Sequence, residues 1–456
     1  MKAAEDGLPM PRRLLAISAV SFGQALCIMD GSVANIALPT IASDLGVENS
    51  AAVLVVTVYQ LVLLMGLLPF SALGDRIGHI QLYRLGLVIF SVATGLCFIA
   101  DSLAMLVFIR AIQALGAAAV LSVSIAIVRA IYPSHQLGRG LALNAIIGSS
   151  AAVLAPTLGG FILAVAPWPY VFAVGAPLGI ISLLLDKALP RSDPQRTPYD
   201  IRGALLCAAV FGLTVSGIEY ANMGGSVNVA VPIVLAGMLL GFFFVRRERG
   251  RTRPLMPVDL LARPPLALPA LGSLLIYMGF TIVTVLLPFK LQQDHGLSPS
   301  EIGGLMASMP LTSLFLAPVA GILSDRIQPE RLGLFGAVVS LIAAIALAHL
   351  PAGAGHLEIL WRLILFGIGL SFFTAPNTRM FIGAAPRDRS AAASGLIAAA
   401  RLTGQTLGAT ATATLLAIGL EKTILSQLVV TALFIFAGGT CAVGLTKSTN
   451  RIKSFS

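Results

Sequence analysis

Asp30 is a carboxylate within a mostly apolar stretch of the sequence, residues 14–38. A charged side chain at the centre of a membrane-spanning helix costs about 2.5–3.5 kcal/mol on insertion scales, so such a residue is a functional candidate by default. A carboxyl group shielded from water can take up and release a proton near neutral pH. We predict that Asp30 carries a proton; the alternative is a structural ion pair that only fixes its helix.

Arg110 is the basic counterpart of Asp30, because it lies at a similar depth in another apolar stretch, residues 103–132. A buried Arg without a partner is unfavourable, so a carboxylate should lie close to it, and Asp30 is the best candidate in this part of the chain. Gln113 follows on the same helical face. We predict a pair whose separation lets Asp30 take up a proton. The alternative is a permanent structural bridge.

Four other polar positions lie in apolar stretches. Arg401 stands in the middle of residues 390–418, and Gln405 follows one turn later on the same face. We predict that this polar face lines a solute pathway, with hydrogen bonding between helices as an equally good alternative. Glu219 and Lys290 lie near the ends of their stretches, where long side chains reach water. For both we favour this surface role over a function.

An Asp-Arg pair occurs twice in the sequence, as Asp75-Arg76 and Asp325-Arg326, each within the pattern small-x-Leu-small-Asp-Arg-Ile. The two copies are 250 residues apart, and an internal repeat of this kind is typical of a duplicated transporter bundle. We predict that these charges pair at helix ends and hold an inner gate shut. The alternative is that they only set the topology.

Residues 138–165 contain a proline followed by two glycines, Pro156, Gly159 and Gly160. These residues carry no chemistry of their own, but they permit a kink and close packing in a membrane helix. We predict a bendable helix that alternating access could use.

The composition indicates that lipid is the solvent for most of the chain. Hydrophobic residues make up 57% of the 456 residues, charged residues only 11%, and the mean hydropathy is +0.91. Soluble domains carry roughly 25% charged residues. The four cysteines and five histidines are dispersed, so we expect no metal site, no cofactor, no catalytic centre and no disulfide framework.

A membrane-spanning helix needs about 20 mostly apolar residues. The sequence predicts fourteen such spans, at 14–38, 51–73, 80–100, 103–132, 138–165, 168–189, 201–222, 227–246, 266–291, 301–325, 331–350, 357–383, 390–418 and 424–446. Of the 30 Lys and Arg residues, 24 fall in the gaps on the side of the N-terminus or in the span ends that adjoin these gaps. The positive-inside rule therefore places both termini in the cytoplasm, and it explains the net charge of +10 without a nucleic-acid partner.

The Asp-Arg repeat divides these spans into two halves, because each copy follows the second span of a six-helix unit. We predict an all-α integral membrane protein with one six-helix bundle in residues 1–190 and a second in residues 266–456. Residues 191–265 then form an insert of two spanning helices with linkers. All loops are short, so we expect no attached soluble domain.

Several motifs resemble the major facilitator superfamily and, within it, the drug:proton antiporter family with fourteen spans. The resemblance covers nearly the whole chain, and its motifs lie in order on the expected helices: Met29–Pro39, Ser71–Gly78, Arg110–Gly116, Ala155–Gly160, Leu255–Asp259 and Ser394–Gly404. It implies the major facilitator fold and proton roles for Asp30 and Arg110. We add Asn35, together with Gln113, Arg401 and Gln405, as candidates for the solute pathway.

The sequence departs from the family at two motifs. The loop motif begins with Ser71 instead of Gly and has His79-Ile80 where two basic residues are usual, and Ala151 and Ala155 replace glycines of the antiporter motif. The resemblance still implies a proton-coupled antiporter of the inner membrane that exports hydrophobic compounds, cationic ones among them, and we expect it to function as a monomer. The alternatives are a transporter of one metabolite, lipid or peptide, and a membrane sensor or scaffold that transports nothing.

Overall fold

The computed structural model describes residues 7–190, 199–251, 254–351, 353–386, 389–419 and 424–453. All regular elements among these residues are helices. Apolar side chains cover most of their surfaces, and many large ones are exposed, as expected for helices that face lipid. Some predicted features lie outside the described residues, namely the start of the insert at 191, the loop at Glu421, and the basic residues Lys2, Arg191, Arg196, Arg253 and Arg387.

Twelve helices in the described part of the chain are long and apolar enough to cross a membrane. The chain is therefore a multi-pass membrane protein. The twelve are α1 (Arg12–Asp44), α2 (Asn49–Ile77), α3 (His79–Ile99), α4 (Leu103–Ile131), α5 (Leu137–Val165), α6 (Pro169–Ala188), α7 (Ile201–Asn222), α8 (Val227–Arg249), α9 (Pro264–His295), α10 (Pro299–Arg326), α11 (Pro329–Ala348) and α12 (His356–Ala384).

Two further long helices follow these twelve, α13 (Ser390–Ala417) and α14 (Ile424–Lys453). They coincide with the thirteenth and fourteenth predicted spans. Within α14, the residues Val429–Gly444 form a shorter apolar segment, and α13 is rich in Ala, Thr and Gly. Length and hydropathy thus identify twelve spans among the described residues, and the count of fourteen stays a prediction.

Two helices extend beyond the predicted membrane-spanning stretches, and both extensions contain prolines. The first span was expected to end before Pro39, but α1 continues through Pro39 to Asp44. Membrane helices tolerate such prolines because neighbouring groups satisfy the freed backbone carbonyl. The ninth span was predicted to begin at residue 266, and α9 begins at Pro264. Proline fits the first turn of a helix, where its missing N–H has no partner to lose.

The helices run back and forth between two ends of the bundle. We call the end at which α1 begins the basic face, because Arg12, Arg76, Arg129 and Arg247 lie there. The other end, at which α1 ends at Asp44, is the opposite face.

Helices α1–α6 pack mainly on one another, and so do helices α9–α14. One contact recurs in both groups. A Cβ added at Gly116 of α4 would lie 2.6 Å from the carbonyl oxygen of Gly86 in α3. Likewise, a Cβ added at Gly336 of α11 would lie 2.7 Å from the carbonyl oxygen of Gly369 in α12. Small residues let the helix backbones approach closely at these two equivalent places.

The two groups contact each other mainly where α5 packs on α10, α2 on α13 and α1 on α9, and α1 also contacts α10. Helices α7 and α8 pack on each other, and α7 also contacts α2 and α13. On the basic face Asp200 fixes this inserted pair, since its Oδ1 accepts a hydrogen bond of 2.7 Å from Nη2 of Arg247. The hydrogen bond from Arg247 lowers the pKa of Asp200. The Asp200 side chain also accepts a hydrogen bond from the backbone N–H of Gly203 and so caps the N-terminus of α7.

Candidate functional site

The side chains of Asp30 in α1 and Arg110 in α4 form an ion pair inside the first group of helices. Nη1 of Arg110 lies 2.6 Å from Oδ2 of Asp30. The two residues are 2% and 0% exposed, so water does not screen the pair. The contact predicted from the sequence therefore forms.

Gln113 connects both members of this pair. Its Oε1 accepts a hydrogen bond of 2.5 Å from Nη1 of Arg110, and its Nε2 donates to Oδ1 of Asp30 at 3.1 Å. The same Nε2 lies 2.8 Å from the hydroxyl of Thr94 in α3, and that hydroxyl bonds the carbonyl of Phe90. Helices α1, α3 and α4 thus meet in one network of hydrogen bonds.

Two aromatic rings enclose the guanidinium group of Arg110. Its Cζ lies 4.3 Å from the ring centre of Tyr59 in α2 and 4.8 Å from that of Phe172 in α6. Its Nε points to the carbonyl oxygen of Val55 at 3.4 Å, and its Nη2 is buried without a hydrogen-bond partner. Arg110 therefore keeps several favourable contacts that do not depend on Asp30.

This arrangement permits a change of charge at Asp30. Removing one partner of a buried ion pair costs about 3–5 kcal/mol, because the other charge is left uncompensated. Here Gln113, the Val55 carbonyl and the two rings would still surround Arg110 if Asp30 became neutral. A network of this kind suits a carboxyl group that alternates between an ionised, paired form and a protonated, separated form.

The sequence did not identify Tyr59, Phe172 or Thr94 as parts of this network. An aromatic residue in an apolar stretch gives no signal that separates a ring over a cation from a ring in lipid. Thr94 has a weak signal, since it is one of few hydroxyl residues in α3, but nothing in the sequence connects it with Gln113.

Arg401 in α13 belongs to a second polar group. It donates a hydrogen bond to the hydroxyl of Thr378 in α12, and its Cζ lies 5.5 Å from the ring centre of Tyr277 in α9. Its Nε is buried without a hydrogen-bond partner. The predicted polar face continues at Gln405, which is half-buried. One turn further, Gly408 packs against the Met278 carbonyl of α9, so this part of the face is a contact between helices.

Asn35 lies on α1, five residues beyond Asp30. Its side chain is half-buried, and its Oδ1 has no hydrogen-bond partner. A buried carbonyl oxygen without a partner is costly, and it often indicates a ligand or a water site. The structure therefore leaves Asn35 available for the predicted role without bringing it into contact with Arg401.

The two acidic residues of the Asp-Arg repeat both form ion pairs, but each pair stays within its own group of helices. Oδ1 of Asp75 lies 2.9 Å from Nε2 of His79, at the junction of α2 and α3. Oδ1 of Asp325 in α10 lies 2.6 Å from Nη1 of Arg379 in α12. The adjacent Arg76 and Arg326 are exposed at the basic face. Their role in a gate between the groups stays a prediction.

Pro156, Gly159 and Gly160 lie where α5 meets α10 near the opposite face. A Cβ added at Gly160 would lie 2.5 Å from the Pro299 carbonyl oxygen, and one at Gly303 would lie 2.3 Å from the Pro156 carbonyl oxygen. Gly159 faces Val33 of α1. These residues therefore form a tight contact between the two groups. The helix itself is continuous through Pro156.

Lys290 and Glu219, which were both predicted to reach water, have different surroundings in the structure. Lys290 donates to the carbonyl oxygens of Leu347 and Ala348 at 3.3 and 3.0 Å, so it caps the C-terminus of α11, where a cation is favourable. The surface role predicted for Glu219 is wrong. Its side chain is 6% exposed, because α7 packs against α2 and α13 and this end of the helix is enclosed.

A bundle of long apolar helices in two packed groups, with a dry ion pair inside one of them, is the architecture of a membrane transporter. A family model of the Major Facilitator Superfamily matches residues 20–266 and 269–448. The chain belongs to the Major Facilitator Superfamily. Its members carry small solutes across membranes, often together with protons.

The chain is similar to several transporters along most of its length. It is 38% identical over 418 residues to the uncharacterized transporter YebQ of Escherichia coli (strain K12), with 91% of this chain and 92% of that protein covered. It is 29% identical over 402 residues to the riboflavin transporter RibZ of Clostridioides difficile (strain 630), with 88% of this chain and 87% of that protein covered. It is 29% identical over 412 residues to the tetracenomycin C resistance and export protein of Streptomyces glaucescens, with 88% of this chain and 75% of that protein covered.

Proposed function

We propose that this chain is a proton-coupled antiporter that exports hydrophobic solutes, cationic ones among them, across the inner membrane by alternating access. The observation that carries the proposal is the dry network around Asp30, in which Arg110 and Gln113 hold the carboxylate at 2.6 and 3.1 Å. A relative whose name describes resistance and export supports the direction of transport.

The proposed cycle uses one proton at Asp30. A proton that enters from the opposite face neutralises Asp30 and releases it from Arg110, while Gln113 and the two rings retain the guanidinium group. The proton leaves toward the basic face when the pair forms again, and the solute moves the other way. A pH difference of one unit supplies about 1.4 kcal/mol per proton and a potential of 100 mV about 2.3 kcal/mol, together comparable with the cost of separating a buried pair.

The proposed architecture has fourteen spans, with both termini in the cytoplasm. Helices α13 and α14 are counted as spans because α13 packs along α9 and α14 packs along α11 and α9. The glycine contacts Gly86–Gly116 and Gly336–Gly369 support two six-helix halves, since they are separated by about the same interval as the Asp-Arg repeat. Helices α7 and α8 form the insert, and the basic face lies in the cytoplasm.

Export from inverted membrane vesicles with an imposed pH gradient tests the proposal, with the cationic dye ethidium as the probe. We expect Asp30→Asn to reduce gradient-driven transport at least tenfold. Asp44→Asn is the matched control, because Asp44 is an exposed acid on the same helix whose Oδ2 only accepts a bond from Trp168. Undiminished gradient-driven transport by Asp30→Asn would sink the proposal.

A second candidate function is the transport of one polar or anionic metabolite. Arg401 favours it, because its Nε is buried without a partner and its guanidinium faces the ring of Tyr277. A planar solute with carbonyl or acidic groups would suit such a site, and RibZ is a riboflavin transporter. We expect Arg401→Gln to reduce transport of riboflavin but not of ethidium if this candidate is correct. Equal effects on both probes would contradict it.

A further inference from the structure

Glu219 is a buried carboxylate that the proposed mechanism does not use. It lies in the last turn of α7, close to the opposite face, and only 6% of the residue is exposed. Its Oε2 accepts a hydrogen bond of 3.2 Å from Nδ2 of Asn222 on the same helix. Its Oε1 is buried and has no hydrogen-bond partner of normal geometry.

Two threonine hydroxyls from different halves lie beside this carboxyl group. Thr57 belongs to α2 and Thr410 to α13, and both side chains interact with Glu219. Thr57 is 0% exposed and Thr410 is 2% exposed, and the Oγ1 of each also has no hydrogen-bond partner of normal geometry. Three enclosed oxygens without ideal partners thus face one another where α7 meets both halves.

Among the described residues of α7 and of the helices that pack against it, none places a cation beside Glu219. The helices that pack against α7 carry their charges elsewhere. On α13, Arg401 lies nine residues before Thr410, which is about 13 Å along a helix. The other charged residues of α7, α2 and α8 lie at the basic face: Arg202, Asp75, Arg76, Arg246, Arg247, Glu248 and Arg249. Burial of a carboxylate without a partner is costly, so this site needs a proton or another cation.

We propose that Glu219, Thr57 and Thr410 form a second proton-binding site, which stabilises the closed contact between the halves at the opposite face. The proposal rests on the alternating access proposed above, but not on a role for Asp30. In the closed state a protonated Glu219 donates its O–H to one threonine and accepts a hydrogen bond from the other.

Opening of the opposite face changes the state of this site. Separation of α2 from α13 moves Thr57 away from Thr410 and admits water, so the carboxyl group ionises and its proton passes to that water. Because the closed state binds the proton more tightly, binding and closure favour each other. The inserted helices are thereby connected to the transport cycle.

The test measures the opening of the opposite face directly. Spin labels on Asn49→Cys in α2 and Ile418→Cys after α13 report the distance between the halves, and the four native cysteines are buried. All proteins carry Asp30→Asn, so that Asp30 does not contribute. In this background we expect the open-to-closed ratio to rise up to tenfold per pH unit, as one released proton requires.

Glu219→Gln in the same background should reduce this pH dependence to less than about twofold. Glu48→Gln is the matched control, an exposed acid at the same face, and it should retain the full response. An unchanged response in Glu219→Gln would overturn the proposal, and so would a missing response in the protein with intact Glu219. The proposal would also be overturned if the open-to-closed ratio changed when Na⁺ replaced K⁺ at constant pH but did not change with pH.

Thr410→Val provides a second test that does not alter the acid. Loss of one hydrogen bond to the protonated carboxyl group should raise the open-to-closed ratio at low pH about two- to tenfold. An unchanged ratio would contradict the assigned site. Loss of ethidium transport by Asp30→Asn in vesicles is a separate result, so failure of the antiport mechanism and failure of this second site can be distinguished.

Discussion

Gln113 is the residue that contacts both charges of the central pair. The carboxamide holds Arg110 with its oxygen and Asp30 with its nitrogen, so it can support either partner when the two separate. An apolar side chain of similar size offers neither bond. The pair could then still form, but its separation would leave Arg110 with fewer partners.

We therefore expect Gln113→Leu to reduce gradient-driven ethidium transport about tenfold or more. The reason is the loss of two hydrogen bonds to charged groups, each contributing about 1.5–3 kcal/mol. Transport rates in inverted vesicles measure this effect. Gln293→Leu, at an exposed position of α9, should transport like the wild type. Normal transport by Gln113→Leu would show that the network does not take part in coupling.

The charged residues of the site could be identified from the sequence better than the residues that surround them. Asp30 and Arg110 could be found because charged residues are rare in apolar stretches and a buried Arg needs a partner. Tyr59 and Phe172 could not, because their role depends on how α2 and α6 pack around α4. Glu219 was misjudged for the same reason, since its position near a helix end indicated water, but the packing of α7 on α2 and α13 excludes it.

The contact between α5 and α10 is the element on which we propose that closure of the opposite face depends. Gly303 approaches the backbone of α5 so closely that a Cβ would lie 2.3 Å from the Pro156 carbonyl oxygen. The next residue, Gly304, has open space at the same position. The two neighbouring glycines therefore offer a matched pair of substitutions.

We expect Gly303→Ala to push α5 and α10 apart and to shift the protein toward the state that is open at the opposite face. Gly304→Ala should have no such effect. Spin-label distances between the ends of α5 and α10 measure the shift in both variants. Identical distance distributions in the two variants would contradict the role of this contact.

Helix positions were predicted well and helix ends less well. The apolar stretches locate each helix because about 20 apolar residues are needed to cross a membrane. Helix α1 continues through Pro39 and α9 begins at Pro264, both beyond the predicted stretches, because proline is tolerated in membrane helices and fits the first turn of a helix. Which helices touch across the two groups, such as α5 with α10, does not follow from the sequence, because it depends on side chains from both groups.

The orientation of the whole molecule can be tested with single cysteines and a maleimide that does not cross the membrane. We expect Asp101→Cys, in the loop after α3 at the opposite face, to react in intact cells. Arg251→Cys, after α8 at the basic face, should react only once the cells are permeabilised. The native cysteines are buried and give little background. The reverse pattern would invert the proposed topology.

In the proposed mechanism, solute and proton move in opposite directions because Asp30 alternates between two forms. Purified protein in liposomes that contain a pH indicator tests it most directly. A gradient of ethidium alone is imposed, without a pH difference. We predict that entry of the dye drives protons out and raises the internal pH with the wild type and with Asp44→Asn, and that Asp30→Asn shows no pH change. Dye entry without proton movement in the wild type, or an equal pH change with Asp30→Asn, would contradict the mechanism.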